Sequence, residues 1–305
     1  MRRYVRNISV AHVWITNVSC ELKDLRNKHH NIIINMSSII KACVFDLGGT
    51  IVDRYSATPF FSIKRAFMKN RIRVPDRVIL KDTGLVHSDK IGKILCDDYI
   101  QRAWFQEYGK IPDSLDTDMI YEDFKIEQKK ESKAINILPE TKKTFEYLKE
   151  RDVKIGITTG IDKENMDMIL SRMEDEDLYV DGAVSSTCLS RTRPYPDTIN
   201  QLKGMFEIEE NYQIIKFDDT PVGIKEANNG DFWSVGVVKW SSLMEIVEPE
   251  DIMGFGLMTS DEYKNRLMNT RDVLIESEAD FVIHDLSEIN DIFREVHRSI
   301  LYDYF

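Results

Sequence analysis

One stretch limits what the rest of this chain can be: Cys43-Val44-Phe45-Asp46-Leu47-Gly48-Gly49-Thr50-Ile51-Val52-Asp53. The apolar run from Ile39 and Ile40 through Ala42 to Phe45 has the length and character of a buried strand, and it ends on Asp46. Two glycines and a threonine follow, a combination that lets the backbone turn tightly and point its N–H groups inward. A carboxylate on a Gly-rich turn, at the carboxyl end of a buried parallel strand, is where open α/β sheets place their chemistry. The same letters also describe an ordinary strand ending in an Asp-Gly-type turn. The rest of the chain must decide between the two.

Strand-like runs recur at 153–157, 179–185, 213–217, 233–238 and 281–284. They alternate with helical patterns at 141–150, 165–173 and 197–206, a helix ending over 226–229 at Gly230, and a charged helix over 261–277. That alternation predicts a parallel, doubly wound sheet. Residues 58–135 break it. Pro59 suits a first helical turn, and Phe60, Phe61, Ile63, Ala66 and Phe67 recur at helical spacing. Further helices are expected over 90–108 and 114–137, with no strand signal between them. The expected fold is therefore α/β: a Rossmann-like parallel-sheet core from 38–57 and 136–305, with an inserted all-helical cap over 58–135.

Composition excludes some partners. The 305 residues carry a net charge of −11, whereas a nucleic-acid surface would be basic. No window approaches the roughly eighteen apolar residues of a membrane span. The four cysteines (Cys20, Cys43, Cys96, Cys188) show no CxxC spacing, and Cys43 lies in the apolar strand, which points to reduced thiols and a cytoplasmic setting. Residues 1–35 differ in kind: Arg2, Arg3 and Arg6 precede the first acidic residue, Glu21. Such a start suits an organelle transit peptide, but it has no amphipathic stripe. A disordered or untranslated extension over 1–37, with Met36 as a natural start, is the expectation.

Four side chains then fall at or just after the carboxyl ends of strands: Asp46, Thr158, Arg193 and Asp219. One crevice can collect them. A carboxylate nucleophile, a hydroxyl, a fixed cation and a second carboxylate suit covalent phosphoryl transfer. Asp46 would attack phosphorus. Thr158, Thr159, Arg193 and the turn at Gly49 and Thr50 would hold the phosphate oxygens. Asp46 and Asp219 would share a Mg²⁺.

Asp46-x-Gly48-Gly49-Thr50, Thr158, Arg193 and Asp219 resemble the four motifs of the haloacid dehalogenase superfamily of phosphohydrolases. Within it the chain is most similar to the phosphonoacetaldehyde hydrolase (phosphonatase) family. That resemblance is carried by Lys154-Ile155-Gly156-Ile157-Thr158-Thr159-Gly160 with Glu164, Met166 and Asp167, by Arg193-Pro194-Tyr195-Pro196, by Trp233-Ser234-Val235-Gly236-Val237 with Ser241-Ser242, and by Ala279-Asp280-Phe281-Val282-Ile283. It covers roughly residues 38–297. It implies a Rossmann-like core, a helical cap and Mg²⁺ held by Asp46, the Gly48 carbonyl and Asp219. The implied substrate is a small-molecule phosphonate or phosphate, and a homodimer is left open.

Three departures matter. Most superfamily phosphatases carry an acid two residues after the nucleophile, and such general acid help is typically worth ~10²–10⁴ in rate. Here that position is Gly48, so a simple alkoxide leaving group would be poorly served. Phosphonatases also lack the acid and use a cap lysine that forms an imine with the aldehyde. The corresponding stretch here is Lys81-Asp82-Thr83-Gly84-Leu85-Val86-His87-Ser88-Asp89-Lys90, with His87 at the lysine position. Lys90, one helical turn on, could substitute; Lys81 is less well placed. Last, the family carries an aspartate four residues after the metal ligand. Here that residue is Gly223, while Asp218 replaces a glycine and could compensate. Asp53 is expected to be a turn or helix-start residue. The expected activity is Mg²⁺-dependent cleavage of a carbon–phosphorus bond through an aspartyl-phosphate, with Asp46, His87 and Lys90 as catalytic residues. A hydrolase for another phosphonate or activated phosphoester and a non-catalytic phosphonate-binding module are the alternatives.

Overall fold

A computed structural model describes residues 39–132, 135–248, 252 and 258–304. The extension 1–37, with Met36 and Cys20, lies outside the described residues. The core is one six-stranded, wholly parallel sheet. Its strands are β1 (Ala42–Phe45), β2 (Lys154–Thr159), β3 (Gly182–Ser185), β4 (Ile214–Asp218), β5 (Trp233–Val237) and β6 (Phe281–Ile283), in spatial order β3-β2-β1-β4-β5-β6. β1 and β4 are buried along their whole length; β1 accordingly reads as an unbroken apolar run rather than an alternating one, whereas β4 buries Lys216 and Asp218 among its apolar residues.

The chain leaves β1 for β2 on one side and later returns to pair β4 on the other, so a crevice opens beyond the carboxyl ends of β1 and β4. Phe45 and Phe217 stack across the β1–β4 pair with ring centroids 4.9 Å apart and fix that junction. Helices α6 (Thr141–Lys149), α7 (Lys163–Glu174) and α11 (Ile289–Tyr304) cover one face, and α8 (Asp197–Met205) and α9 (Pro221–Asn229) the other. α10 (Ser260–Glu276) packs beside β5 and β6. On α6 the predicted inward set, Thr144, Phe145 and Leu148, is buried.

Between β1 and β2 the chain is helical: α1 (Ala57–Lys69), α2 (Asp76–Ile79), α3 (His87–Leu95), α4 (Asp98–Tyr108) and α5 (Ser114–Ser132). These helices form a separate apolar core in which Phe67, Trp104 and Phe124 are fully buried. The predicted single helix over 90–108 is two helices. The first ends at Leu95, and Asp97 caps the second by accepting from the Tyr99 amide at 3.0 Å, a local bond that competes with helix continuation. The helix expected to reach residue 137 is described as far as Ser132, and residues 135 and 136 are not helical. Asp53 has the turn role expected of it: its carboxylate accepts from the Thr58 amide and hydroxyl at the start of α1. Cys43, Cys96 and Cys188 are free thiols. Among the described residues no helix is long and apolar enough to cross a membrane.

Candidate active site

Asp46 follows directly on β1, and its amide donates to the Phe217 carbonyl at 3.0 Å, which ties the loop to the end of β4. Gly49 then turns the chain with φ +73°, a conformation that disfavours any side chain. A Cβ at Gly49 would also lie 2.6 Å from Asp219 Oδ2, so the loop and the β4 edge can approach only through glycine. This turn corrects one expectation. The Gly49 amide donates to the Val52 and Asp53 carbonyls at 2.9 and 3.0 Å, and the Thr50 amide to the Leu47 carbonyl at 3.3 Å. These N–H groups close the loop on itself instead of pointing into the crevice. Neither residue lines the cleft, and the buried Thr50 hydroxyl has no partner among the described residues.

Arg193 is the hub of the site. Its guanidinium donates to Asp46 Oδ1 at 2.8 Å, to the Thr158 carbonyl at 2.8 Å and to Thr158 Oγ1 at 3.0 Å. Its Nε sits 2.9 Å from Glu226 Oε2, a charge contact rather than an aligned hydrogen bond. Glu226 in turn accepts from the Thr198 hydroxyl on α8. A second buried cation, Lys216 on β4, donates to Thr158 Oγ1 at 2.7 Å and lies 3.1 Å from Asp218 Oδ2. Thr158 therefore departs from the expected phosphate contact. Its hydroxyl accepts from both cations, which leaves only its own O–H to donate, and the residue does not line the cleft. Thr159 lines it instead, while its hydroxyl accepts from the Ile161 amide at 3.1 Å.

The charges are strongly perturbed. Burial, with the neighbouring Asp218 charge, raises Asp46 to about 6 against the pull of Arg193 and Lys216. Burial also works against charge on Asp218 and on Arg193. At Asp218 the cations Lys216 and Arg193 prevail and lower its pKa; at Arg193 the carboxylates of Glu226, Asp46 and Asp218 keep the guanidinium charged. Asp219 is pushed well upward by burial and by the Asp218 and Asp46 charges, although Ser242 opposes this with two hydrogen bonds to Oδ2. Its Oδ1 is buried and has no partner among the described residues.

That orphaned oxygen fits a hard cation. Asp46, the Gly48 carbonyl and Asp219 offer an all-oxygen donor set of the sort Mg²⁺ takes with one or two carboxylates, its other positions being left to water and substrate. Among the described residues no three His, Cys, Asp or Glu side chains converge as a metal cluster, so any such site would rest on these few protein donors. Asp218 is turned away toward Lys216, Arg193 and the Thr220 hydroxyl, which donates to it at 2.7 Å. A Cβ at Gly223 would fall 1.9 Å from the Asp218 carboxyl carbon. Asp218 thus fills the space that a side chain at 223 would need.

The cap closes the cleft through the 81–86 loop. Gly84, at φ +85°, packs so closely on Thr220 that a Cβ would meet its hydroxyl at 2.4 Å; Gly160 approaches the Leu85 carbonyl. The loop delivers His87 and Lys90 from the first turn of α3 into the same cleft as Asp46, Gly48, Arg193 and Asp219. Lys90 is only 9% exposed, not the solvated lysine its residue type suggests, and burial lowers it to about 8 against the attraction of Asp82. Lys81 remains outside the cleft and pairs at 3.8 Å with Asp97. Burial, together with the Lys90 charge, lowers His87 to about 3, so the imidazole is neutral at physiological pH and does not serve as an acid there. Its ring packs 4.7 Å from Phe124, and its Nδ1 has no partner among the described residues.

The fold thus brings Asp46, Gly48, Thr159, Arg193, Asp219, His87 and Lys90 to one cleft, and leaves Gly49, Thr50 and Thr158 behind it. Three residues were missed in the sequence: Lys216, Glu226 and Gln128. Lys216 carried a readable signal, because a lysine inside the apolar run 214–217 has to be paired to be tolerated. Glu226 and Gln128 sit in helices whose patterns tolerate polar residues, and nothing local marks them.

A family model described as haloacid dehalogenase-like hydrolase matches residues 40–231. The chain is 27% identical over 269 residues to phosphonoacetaldehyde hydrolase of Bacillus cereus, a match spanning 86% of this chain and 98% of that one. It is 28% identical to the bifunctional phosphonoacetaldehyde hydrolase/aminoethylphosphonate transaminase of Clostridioides difficile, of which the match spans 41%. The solved structure of a phosphonoacetaldehyde hydrolase-like protein from Oleispira antarctica superposes with a TM-score of 0.80 at 23% identity, covering 94% of this chain and 97% of that one.

Proposed function

The chain belongs to the haloacid dehalogenase-like hydrolases, and from that premise we propose that it hydrolyses the carbon–phosphorus bond of phosphonoacetaldehyde or a close relative. The observation that carries the reading is Lys90: an amine lowered to about 8 by burial, lining the same cleft as the Asp46 carboxylate. Roughly a tenth of such an amine is neutral at pH 7, enough for it to attack a carbonyl. Gly48 supports the same reading, since no acid stands there to protonate an alkoxide. A side chain at 48 would meet Ser56 Oγ at 2.8 Å.

In this scheme Lys90 condenses with the aldehyde, water departs, and the protonated imine becomes the electron sink. Asp46 attacks phosphorus in line with the carbon. The C–P bonding pair flows onto carbon as an enamine, and phosphorus is left on Asp46 as an aspartyl-phosphate. The enamine is protonated at carbon and the imine is hydrolysed, which frees acetaldehyde and Lys90. Water then cleaves the aspartyl-phosphate. Arg193 holds the phosphoryl oxygens, its own position fixed by Thr158 and Glu226. Neutral His87 offers a hydrogen bond to the organic end. Mg²⁺ held by Asp46, the Gly48 carbonyl and Asp219 would balance the phosphoryl charge.

The test combines turnover with trapping. Full-length protein with Mg²⁺ and millimolar phosphonoacetaldehyde is expected to release phosphate, and borohydride to fix a covalent adduct that Lys90→Ala abolishes. Adduct persisting in Lys90→Ala would exclude Lys90, and no phosphate release would sink the reaction. Release from activated phosphoesters without any adduct would favour a phosphoester hydrolase with neutral His87 as its cap contact.

A further inference from the structure

Gln128 is a cleft side chain to which the folded chain gives no other task. It lies on α5, one turn beyond Phe124, whose ring packs on His87, and it lines the cleft together with His87 and Lys90. The residue is fully buried, and neither its amide nitrogen nor its amide oxygen has a hydrogen-bond partner among the described residues. An amide left so gives up its bonds to water without replacing them, whereas methionine would fill the same volume at no such cost. The helix does not need the side chain. The nearby Ser132 hydroxyl donates to the Gln128 backbone carbonyl at 2.9 Å and not to its side-chain amide. Ile135, Ile161 and Ile169, which line the same cleft, are apolar and offer the amide no partner. A polar group on a bound ligand would supply one.

We infer that Gln128 is the specificity-determining residue for the organic end of the substrate. Its amide N–H donates to an oxygen on the second carbon of a short phosphonate, and so selects 2-oxygenated phosphonates over plain alkylphosphonates. The inference rests on the reading that the phosphoryl end is held at Asp46 and Arg193, and it holds for a carbonyl, a carbonyl hydrate or a hydroxyl alike. A site built to hydrogen-bond an oxygen discriminates strongly against ligands lacking it, because its own buried polar atoms are then left unpaired.

Calorimetric titration of the full chain with Mg²⁺ tests this without catalysis, using 2-hydroxyethylphosphonate, ethylphosphonate and orthovanadate. The wild-type protein is expected to bind 2-hydroxyethylphosphonate at least about tenfold tighter than ethylphosphonate. Gln128→Leu and the unbranched Gln128→Met are expected to shrink that preference to under about twofold while leaving orthovanadate affinity unchanged. Equal wild-type affinities for the two phosphonates would overturn the inference, as would a preference that survives both substitutions. Parallel weakening of all three ligands would also overturn it, because it would make the amide a structural element. Absence of phosphonoacetaldehyde turnover bears on the reaction proposed above and leaves this binding readout standing.

Discussion

The two walls of the cleft are built on opposite principles. On the core wall the charged groups hold one another, Asp219 with its open Oδ1 excepted: Arg193 is spanned by Asp46, Thr158 and Glu226, and Lys216 by Thr158 and Asp218. On the cap wall the polar groups are left open. His87 Nδ1 and the Gln128 amide have no hydrogen-bond partner among the described residues, and no described residue hydrogen-bonds the Lys90 ammonium. On the reading proposed above, the difference follows from what each wall must meet. A phosphoryl group is the same dianion in every substrate, so its site gains from being rigid and preorganised. The organic part differs between substrates, and groups whose bonds are completed only by a ligand reject those that cannot complete them.

The largest break in that contrast is at the nucleophile. Asp46→Asn keeps the shape and an acceptor for Arg193 but removes the carboxylate proposed to attack phosphorus. Phosphate release is expected to fall by roughly 10⁴-fold or more, the scale of losing a covalent catalyst. Binding of orthovanadate is expected to persist, since Arg193 remains held by Thr158 and Glu226. Loss of vanadate binding together with turnover would mean that the core wall is not independently organised. Next comes Glu226→Gln, which removes one anchor of a buried cation. Breaking a buried pair from one side costs about 3–5 kcal/mol, and a urea titration is the measure. A change below about 1 kcal/mol, the scale of exposed pairs, would show that Arg193 does not depend on Glu226.

The same contrast explains what the sequence made legible. The core wall was readable because strand ends are fixed by apolar runs: 42–45, 154–159 and 214–218 place Asp46, Thr158 and Asp219 at one sheet edge whatever the loops do. The four-motif pattern therefore pointed to the crevice. What it could not give was the direction of each group. The Gly49 and Thr50 amides look free in the sequence, yet they are consumed by carbonyls within three or four residues, because φ +73° at Gly49 folds the loop inward. Thr158 looks like a phosphate ligand until Lys216 is seen filling the other side of its hydroxyl. The cap was readable only as a helical block. Whether Lys90 is solvated or buried depends on how the 81–86 loop seats against Thr220 and Gly160, a contact between segments far apart in the chain that leaves no periodic trace. Asp218 and Gly223 fall between: the exchange of residue types was visible, but that the Asp218 carboxylate would occupy the space at 223 and pair with Lys216 was not.

The smallest and most discriminating effect is in the pH dependence of the cap wall. In the proposed scheme Lys90 must be neutral to attack, and burial lowers it to about 8. kcat/KM for an aldehyde substrate is therefore expected to rise about tenfold per pH unit from near 6, above which Asp46 is ionised, up to near 8 and then to level off. An activated phosphoester that needs no imine is expected to show no limb at that pH. The same group leaves a mark on stability, with a definite sign. The folded value lies below the unfolded lysine value near 10.4, so between about pH 8 and 10.4 the unfolded chain holds the extra proton and stability increases with pH. In Lys90→Met that increase is expected to vanish from the urea midpoint measured across the window, along with the aldehyde-specific limb. If the limb near pH 8 were shared by both substrates and survived in Lys90→Met, it would belong to the core wall. The cap would then be shaping the cleft rather than taking part in the reaction.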